Sequence, residues 1–92
     1  MYVKFYIDPA TDEPHIYAHE VAESEALEIL QNSNDRGPAR DGAMQVVGQT
    51  MHGRYLKVIY TEQPYGILIV TAYDLRAKEL KAFRRRQRRR PR

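Results

Sequence analysis

The chain has 92 residues, of which 29% are charged, with no cysteine and a formal net charge of +3. This length fits one domain, and the lack of cysteine excludes a disulfide framework or a thiolate metal site. No apolar run reaches membrane-spanning length and no charged-then-apolar leader opens the sequence, so we expect a cytoplasmic protein with no membrane partner.

The charge is distributed unevenly along the chain. Residues 84–92 contain seven Arg and no acid, which leaves eight Lys and Arg against twelve Asp and Glu, a net charge of −4, in residues 1–83. We therefore expect one domain, 1–83, followed by an Arg-rich helix extension or tail, 84–92. Such a cluster of one sign favours a nucleic acid or an acidic partner. Docking on the acidic helix of its own or a neighbouring chain, or a disordered solubility tail, are the alternatives.

The first half of the chain begins with an alternating segment and continues with helical ones. Residues 2–7 alternate apolar and polar positions and predict a strand. A short helix is predicted at 13–18, where Pro14 is tolerated in the first turn. Residues 22–31 carry apolar side chains at helical spacing with Glu on the opposite side, which predicts an amphipathic helix. The Asn-, Gly- and Pro-containing segment 32–38 is expected to be a loop.

Three strands are predicted in the second half, at 43–49, 53–61 and 66–74. Their β-branched and aromatic residues suit a pleated sheet, and a connector with Pro and Gly makes the last two a hairpin. Asp74 is expected to cap a final helix. The order β-α(α)-β-β-β-α predicts a small α+β fold, with an antiparallel sheet of about four strands and the helices packed on one face.

The alternation also predicts a core face and an outer face of the sheet. Leu68 and Val70 are expected to face the core, while Tyr55, Lys57 and Tyr73 face outward. That outer face mixes aromatic and aliphatic side chains with a lysine, which is unusual for a merely solvated surface. The predicted core consists of Val3, Phe5, Ile7, Leu27, Leu30, Val46, Leu56, Val58, Leu68, Val70, Leu80 and Phe83.

Short motifs follow one another along nearly the whole chain. They are Asp8-Pro9-Ala10, His19-Glu20-Val21 with Glu25-Ala26, Val58-Ile59-Tyr60-Thr61-Glu62, and Val70-Thr71-Ala72-Tyr73 with Glu79 and Phe83. In this order they resemble the BrnT-like ribonuclease toxins, within the wider RelE/ParE-type group of bacterial toxin–antitoxin systems. The chain departs from the family pattern at Tyr73, where the family usually has Arg, and at Phe83, where it has Tyr.

The resemblance implies a RelE/BrnT-like fold and a metal-independent endoribonuclease without a cofactor. It implies RNA as the substrate, a cognate antitoxin protein as the silencing partner, and a homodimer or a toxin–antitoxin heterotetramer as the assembly. Cleavage would proceed by attack of a ribose 2′-OH on the adjacent phosphate. That reaction needs a base, an acid and cations for the developing negative charge.

The candidate site residues come from the outer sheet face and its neighbours. Lys57 and Arg54 are predicted to stabilise phosphate charge and His19 to transfer a proton. Each also has a plain structural interpretation, as a solvated sheet residue, a hairpin residue or a half-buried helix residue. The predicted catalytic residues are His19, Arg54, Lys57, Tyr73 and Glu79. The predicted RNA-binding residues are Lys4, Tyr6, Tyr55, Arg84, Arg85, Arg86 and Arg88.

Two classes of function are open on these residues. Arg54, Lys57 and His19 together favour the ribonuclease. Tyr73 in place of Arg favours a non-catalytic RNA- or protein-binding module that uses the Tyr- and Lys-bearing sheet face and the Arg-rich tail. His15 and His19 are four residues apart and would share a helix face as base and acid, and because no third residue has metal-ligand spacing, no metal site is expected.

Overall fold

The segments richest in β-branched and aromatic residues form strands, and those with apolar residues at helical spacing form helices. The computed structural model describes residues 2–89 of the chain. Its strands are β1 (Tyr2–Phe5), β2 (Ile7–Asp8), β3 (Glu13–Pro14), β4 (Asp35–Pro38), β5 (Met44–Gln49), β6 (Tyr55–Gln63) and β7 (Gly66–Asp74). Its helices are α1 (Glu23–Asn32) and α2 (Ala77–Arg89), with 3-10 helices at His15–His19 and Arg40–Gly42.

Five strands form one mixed sheet in the order β1-β7-β6-β5-β4, with β1 parallel to β7 and the other neighbours antiparallel. The predicted α+β class is confirmed, but the antiparallel sheet of about four strands is wrong. β4 lies in the segment predicted to be a loop, where its edge position tolerates Pro38, which has no amide hydrogen to donate. β2 and β3 form a separate hairpin, in which Ile7, predicted for the core, is 46% exposed.

The helices lie on both faces of the sheet, not on one as the sequence predicts. Successive side chains of β6 point to opposite faces. Leu56 and Val58 are buried together with Ile29 of α1. On the other face, the ring of Tyr55 contacts that of Phe83 from α2, with ring centres 6.0 Å apart. The one-face prediction fails because β6 carries large side chains on both faces, and each face needs a helix to cover it.

An irregularity in β7 changes which of its side chains reach the core. Ile59 pairs with Thr71 but Tyr60 pairs with Ile69, so Val70 is an extra residue, a β-bulge. Side chains alternate regularly on each side of the bulge, and the facing pattern shifts by one residue where the bulge lies. β7 therefore does not keep one alternation from end to end.

The bulge accounts for the main error in the predicted core. Leu68 and Val70 are predicted to face the core, but neither is fully buried, whereas Ala72 beyond the bulge is. Ahead of the bulge, Ile67 and Ile69 are the buried residues. The remaining predicted core residues within the described chain are buried or half-buried: Val3, Phe5, Leu27, Leu30, Val46, Leu56, Val58, Leu80 and Phe83.

Gly66 begins β7 at the point where β1 joins the hairpin. Its φ of +139° lies in a region that side-chain-bearing residues rarely adopt. A Cβ added there would lie 2.2 Å from the carbonyl oxygen of Tyr2, closer than any contact permits. The missing side chain thus lets the first strand approach the tight end of the hairpin and complete the sheet.

A glutamate in the first turn accepts a hydrogen bond at the start of each α-helix. Glu25 and Glu79 each accept from the main-chain N–H of the residue before the helix, at 3.0 and 3.1 Å. A carboxylate at this position also suits the positive end of the helix dipole. The prediction that Asp74 caps the last helix is wrong, because α2 begins three residues later and the Asp74 carboxylate binds Arg54 instead.

The last helix continues into the Arg-rich segment. Residues 84–89 of the predicted extension are part of α2, and residues 90–92 lie outside the described part of the chain. The Arg side chains up to residue 89 are therefore presented on a regular helix, whose geometry decides where each one points.

None of the helices within residues 2–89 is long and apolar enough to cross a membrane.

Candidate functional site

Four rings lie in a row along one edge of β7, and we call Tyr6, His15, His19 and Tyr73 the ring row. β1 pairs only with the first half of β7, and the 3-10 helix His15–His19 packs against β7. The ring centres are 6.5 Å apart for Tyr6 and His15, 5.4 Å for the two histidines, and 5.9 Å for His19 and Tyr73. Two imidazoles between two phenols form a site that can transfer protons and contact a flat ligand.

A carboxylate orients the first histidine of the ring row. Asp8 Oδ2 lies 3.1 Å from His15 Nδ1, and Asp8 Oδ1 accepts a hydrogen bond of 2.9 Å from the Ala10 N–H. The Ala10 N–H, followed by His15, lowers the pKa of the Asp8 carboxyl below its ordinary value. An ionised carboxylate only accepts hydrogen bonds, so Nδ1 carries the proton and Nε2 of the neutral ring is left as the proton acceptor.

An ion pair lies at the other end of the ring row. Lys57 Nζ lies 6.0 Å from the centre of the Tyr73 ring and donates a hydrogen bond to Glu79 in the first turn of α2. This hydrogen bond is the main reason that the pKa of Glu79 is lowered. The Lys57 side chain is 14% exposed, so its ammonium is partly withdrawn from water. The row thus runs from the Asp8 carboxylate to a cation held beside α2.

Arg54 is fully engaged on the opposite face of the sheet. Its guanidinium donates two hydrogen bonds to Asp74, at 2.9 and 3.0 Å, and one to Glu25, at 2.9 Å. The remaining donors reach the carbonyl oxygens of Glu20 and His19, at 2.7 and 3.3 Å. The Asp74 hydrogen bond is the main reason that the pKa of Arg54 is raised and that of Asp74 lowered.

The five N–H donors of Arg54 therefore all have partners, and a phosphate would have to displace one of them. Arg54 fixes the end of the 3-10 helix from which His19 projects, and it joins that end to α1 and to the end of β7. The structure thus gives Arg54 a positioning role. The predicted pairing of Arg54 with Lys57 around one phosphate is not what the geometry presents, because the two cations lie on opposite faces of the sheet.

The charged side chains on the solvent side of α2 are all cations. The single acid of the described helix, Glu79, is turned toward the sheet by its hydrogen bond to Lys57. Lysines and arginines at helical spacing share the opposite side and are all exposed. Among residues 2–89, none of them forms an ion pair with a carboxylate. We call these residues the basic face of α2: Lys78, Lys81, Arg84, Arg85 and Arg88.

The other predicted RNA-binding residues of this region point toward the sheet. Arg86 lies on the inner side of α2 and binds Asp35 of β4 at 2.8 Å. Tyr55 is half-buried under α2, with the guanidinium carbon of Arg84 5.2 Å from its ring centre. Arg86 and Tyr55 therefore hold the helix on the sheet, while Arg84 lies at the edge of the basic face that is nearest the sheet.

Lys4 forms a separate cluster at the far end of β7. Its ammonium lies 4.7 Å from the ring centre of Tyr65 and 5.7 Å from that of Tyr2. Lys4 is paired with Leu68, whereas Lys57 is paired with Tyr73, so the two lysines are separated by about 16 Å along the strand. Lys4 is thus not part of the ring row, although Tyr6, predicted with it, is.

The structure brings four of the five predicted catalytic residues to the ring row and its adjoining ion pair: His19, Lys57, Tyr73 and Glu79. Sequence reasoning missed the Asp8 carboxylate as the partner of His15. The spacing of the cations in residues 78–88 already marks one helix side, and that signal was available from the sequence. Within the described residues, no three His, Asp or Glu side chains converge to hold a metal ion.

Comparison with protein-family models, with curated proteins and with solved structures finds no match to this chain.

Proposed function

We propose that this protein binds RNA through the basic face of α2. The observation that carries the proposal is that five exposed cations share one helix side over about 15 Å, with no carboxylate among them. Phosphate groups neutralise such a row, and arginine is suited to bind them in a bidentate way. Because the cations stand on a packed helix, they are positioned before RNA arrives, and less conformational entropy is lost on binding than with a flexible tail.

The charges elsewhere in the molecule favour this partner over an acidic helix of the same chain. α1 and α2 lie on opposite faces of the sheet, and within residues 2–89 no cation of the basic face forms an ion pair with a carboxylate of α1. The carboxylates of α1 are also engaged locally: Glu23 accepts from the Tyr17 hydroxyl at 2.6 Å, Glu25 binds Arg54, and Glu28 accepts from the Met51 N–H. The cations of α2 are therefore left for a partner outside the chain.

The test is the affinity for a short labelled single-stranded RNA, measured by fluorescence anisotropy at low salt. Arg85→Glu reverses one charge of the basic face, and Arg40→Glu reverses one exposed charge in the 3-10 helix Arg40–Gly42 as a matched control. We expect Arg85→Glu to weaken binding about tenfold and Arg40→Glu to leave it nearly unchanged. Equal affinities for the two variants, or no RNA binding by the wild type, would contradict the proposal.

RNA cleavage at the ring row is a second candidate function, and the Asp8–His15 pair beside His19 is the observation that favours it. His15 Nε2 would take the proton from a ribose 2′-OH as that oxygen attacks the adjacent phosphorus. His19 in its protonated form would give a proton to the departing 5′ oxygen. The products are a 2′,3′-cyclic phosphate and a 5′-hydroxyl end, so the protons balance without a co-reactant. Lys57 at the end of the row is the cation that would stabilise the charge of the transition state.

We further propose that the chain has a RelE/BrnT-like fold and is the toxin of a toxin–antitoxin system. The support is that Asp8 and His19, which belong to two separate motifs of the resemblance, meet at the ring row. A cognate antitoxin would be the protein partner, and the assembly would be a homodimer or a toxin–antitoxin heterotetramer. The test is expression in a bacterial host: we expect growth arrest that is relieved by the product of the adjacent reading frame. Normal growth would contradict the toxin proposal and favour the non-catalytic RNA-binding module.

A further inference from the structure

A cleft of about 390 Å³ opens where the two helices, lying on opposite faces of the sheet, meet around the end of β5. β4 pairs with β5 only as far as Val47, so beyond it no strand of the described chain covers this edge. Ile29 of α1 and Phe83 of α2 form its apolar walls. Its volume lies within the range of pockets that bind small molecules.

Gly48 fixes the depth of the cleft. A Cβ added to Gly48 would lie 2.9 Å from Ser33 Cβ and 3.2 Å from Ile29 Cδ1. The first distance is shorter than real Cβ contacts and the second is tighter than most of them, so the glycine lets the end of α1 lie this close to β5. The floor of the cleft is therefore made by main chain rather than by a side chain.

Within residues 2–89, two carboxamides of the cleft have no hydrogen-bond partner. Asn32 and Gln87 line it from α1 and α2, both are exposed, and neither side chain is hydrogen-bonded to another described residue. The other polar side chains at the cleft have partners already: Ser33 donates to the Val47 carbonyl, Glu28 accepts from the Met51 N–H, and Gln49 donates to the Gly53 carbonyl.

The main chain adds a further donor and acceptor. In an antiparallel strand, the N–H and C=O of one residue point to the same edge, and those of the residue two positions on point there as well. The Val47 carbonyl is on the β4 side, where it accepts from Ser33. The N–H and C=O of Gln49 thus point to that side too, at the place where β4 has ended.

We propose that this cleft binds one unpaired base of an RNA strand, an inference that rests on the proposed binding of RNA to the basic face of α2. Carboxamides and a main-chain N–H and C=O offer donors and acceptors side by side, as the edge of a base requires. Ile29 and Phe83, the apolar walls of the cleft, contact the flat faces of the base. Arg84 precedes Gln87 by three residues and is its neighbour on the helix surface, so a phosphate bound by Arg84 lies next to the cleft.

The experiment compares two ligands of equal length: a single-stranded RNA and a phosphodiester oligomer whose sugars carry no bases. Affinities are measured for the wild type, for Asn32→Ala and Gln87→Ala, and for Gln31→Ala as the control on the exposed side of α1. All three positions are exposed on helices and alanine favours helix, so folding is retained and is checked by circular dichroism.

We expect the wild type to prefer the RNA about tenfold. Asn32→Ala and Gln87→Ala should each reduce that preference several-fold without changing the affinity for the base-free oligomer, and Gln31→Ala should change neither. Equal wild-type affinity for both ligands would overturn the base site but leave phosphate binding by α2 intact. A preference that survives in both cleft variants would also overturn it. If neither ligand binds, the proposed function fails and the base site fails with it.

Discussion

Arg54 and Asp74 face each other across the ends of β6 and β7 in a bidentate ion pair, with Nε–Oδ1 and Nη2–Oδ2 distances of 2.9 and 3.0 Å. The same guanidinium binds the carbonyl oxygens of His19 and Glu20 at the end of a 3-10 helix, and the carboxylate of Glu25 in α1. One side chain therefore ties together the hairpin, the segment that carries the ring-row histidines, and the first helix.

Arg54→Ala should destabilise the fold rather than act on catalysis alone. The change leaves Asp74 and Glu25 without their cation and two carbonyl groups without a donor. We expect a loss of about 1–3 kcal/mol in the free energy of unfolding, measured with urea. Arg54→Lys should recover only part of that free energy, since an ammonium cannot donate two parallel hydrogen bonds to Asp74 as the guanidinium does. Arg40→Ala, at an exposed site, is the control. An Arg54→Ala variant of wild-type stability that cleaves no RNA would instead restore a catalytic role.

The Arg54–Asp74 and Lys57–Glu79 ion pairs predict how the stability of the fold depends on pH. The pKa values of Asp74 and Glu79 are lowered, chiefly by their hydrogen bonds to Arg54 and Lys57. A carboxyl whose pKa is lower in the folded state stabilises the fold fully above its unfolded value, and this is lost as the pH falls through the folded one. Stability should thus decline below about pH 4.

Asp74→Asn isolates one of these contributions. We expect the variant to be less stable than the wild type at pH 7, and the difference to shrink toward zero in acid, where the wild-type carboxyl is protonated as well. Urea unfolding of both proteins at neutral and acidic pH measures it. A difference that is equally large at both pH values would mean that the charge of Asp74 does not stabilise the fold.

Thr71, next to the bulge in β7, offers a stabilising substitution. Its Oγ1 is the one buried side-chain polar atom within residues 2–89 that has no hydrogen-bond partner. Thr71→Val keeps the shape and removes the unsatisfied hydroxyl, so we expect the free energy of unfolding to rise by about 1 kcal/mol. Thr61→Val on the neighbouring strand is the matched control. Thr61 accepts a hydrogen bond of 2.9 Å from Gln63, so its loss should not stabilise. A lower melting temperature for Thr71→Val would contradict the assignment.

Local sequence patterns predicted most of the elements, and long-range contacts account for the rest. The hairpin and α1 follow from composition and spacing, because neighbouring residues determine both. β4 was missed because Gly37 and Pro38 are typical of loops, and only pairing with β5 makes them a strand. The bulge at Val70 leaves no mark in the alternation. Asp74 has the composition of a helix cap, and its partner Arg54 lies 20 residues away in the sequence.

The candidate site was predictable in the same uneven way. His19, Lys57 and Tyr73 were selected because of residue type and resemblance, and they meet at the end of β7. Asp8 was not, because a hydrogen bond to a histidine seven residues later requires the hairpin and the 3-10 helix to fold first. The sidedness of α2 is available from helical spacing, but the sequence leaves residues 84–92 open as a helix extension or a tail. The face that Arg85 shares with Lys78 and Lys81 exists only if the helix continues into that segment.

The histidines of the ring row offer a direct comparison with a third histidine outside it. His15→Ala and His19→Ala should each lower the rate of RNA cleavage by about 10²-fold or more, because each removes a proton-transfer group. His52→Ala, at an exposed turn residue, should cleave as the wild type does. Equal rates in all three variants would exclude the ring row as the site of cleavage.

The salt dependence of RNA binding tests the role of the basic face most directly. Each phosphate contact on a single strand contributes about 0.7 to the slope of log affinity against log salt concentration. The triple variant Lys81→Ala/Arg85→Ala/Arg88→Ala should therefore bind RNA more weakly than the wild type and with a slope shallower by about 2, while Arg40→Ala keeps the wild-type slope. Equal affinity and equal slope in the triple variant and the wild type would contradict RNA binding by α2.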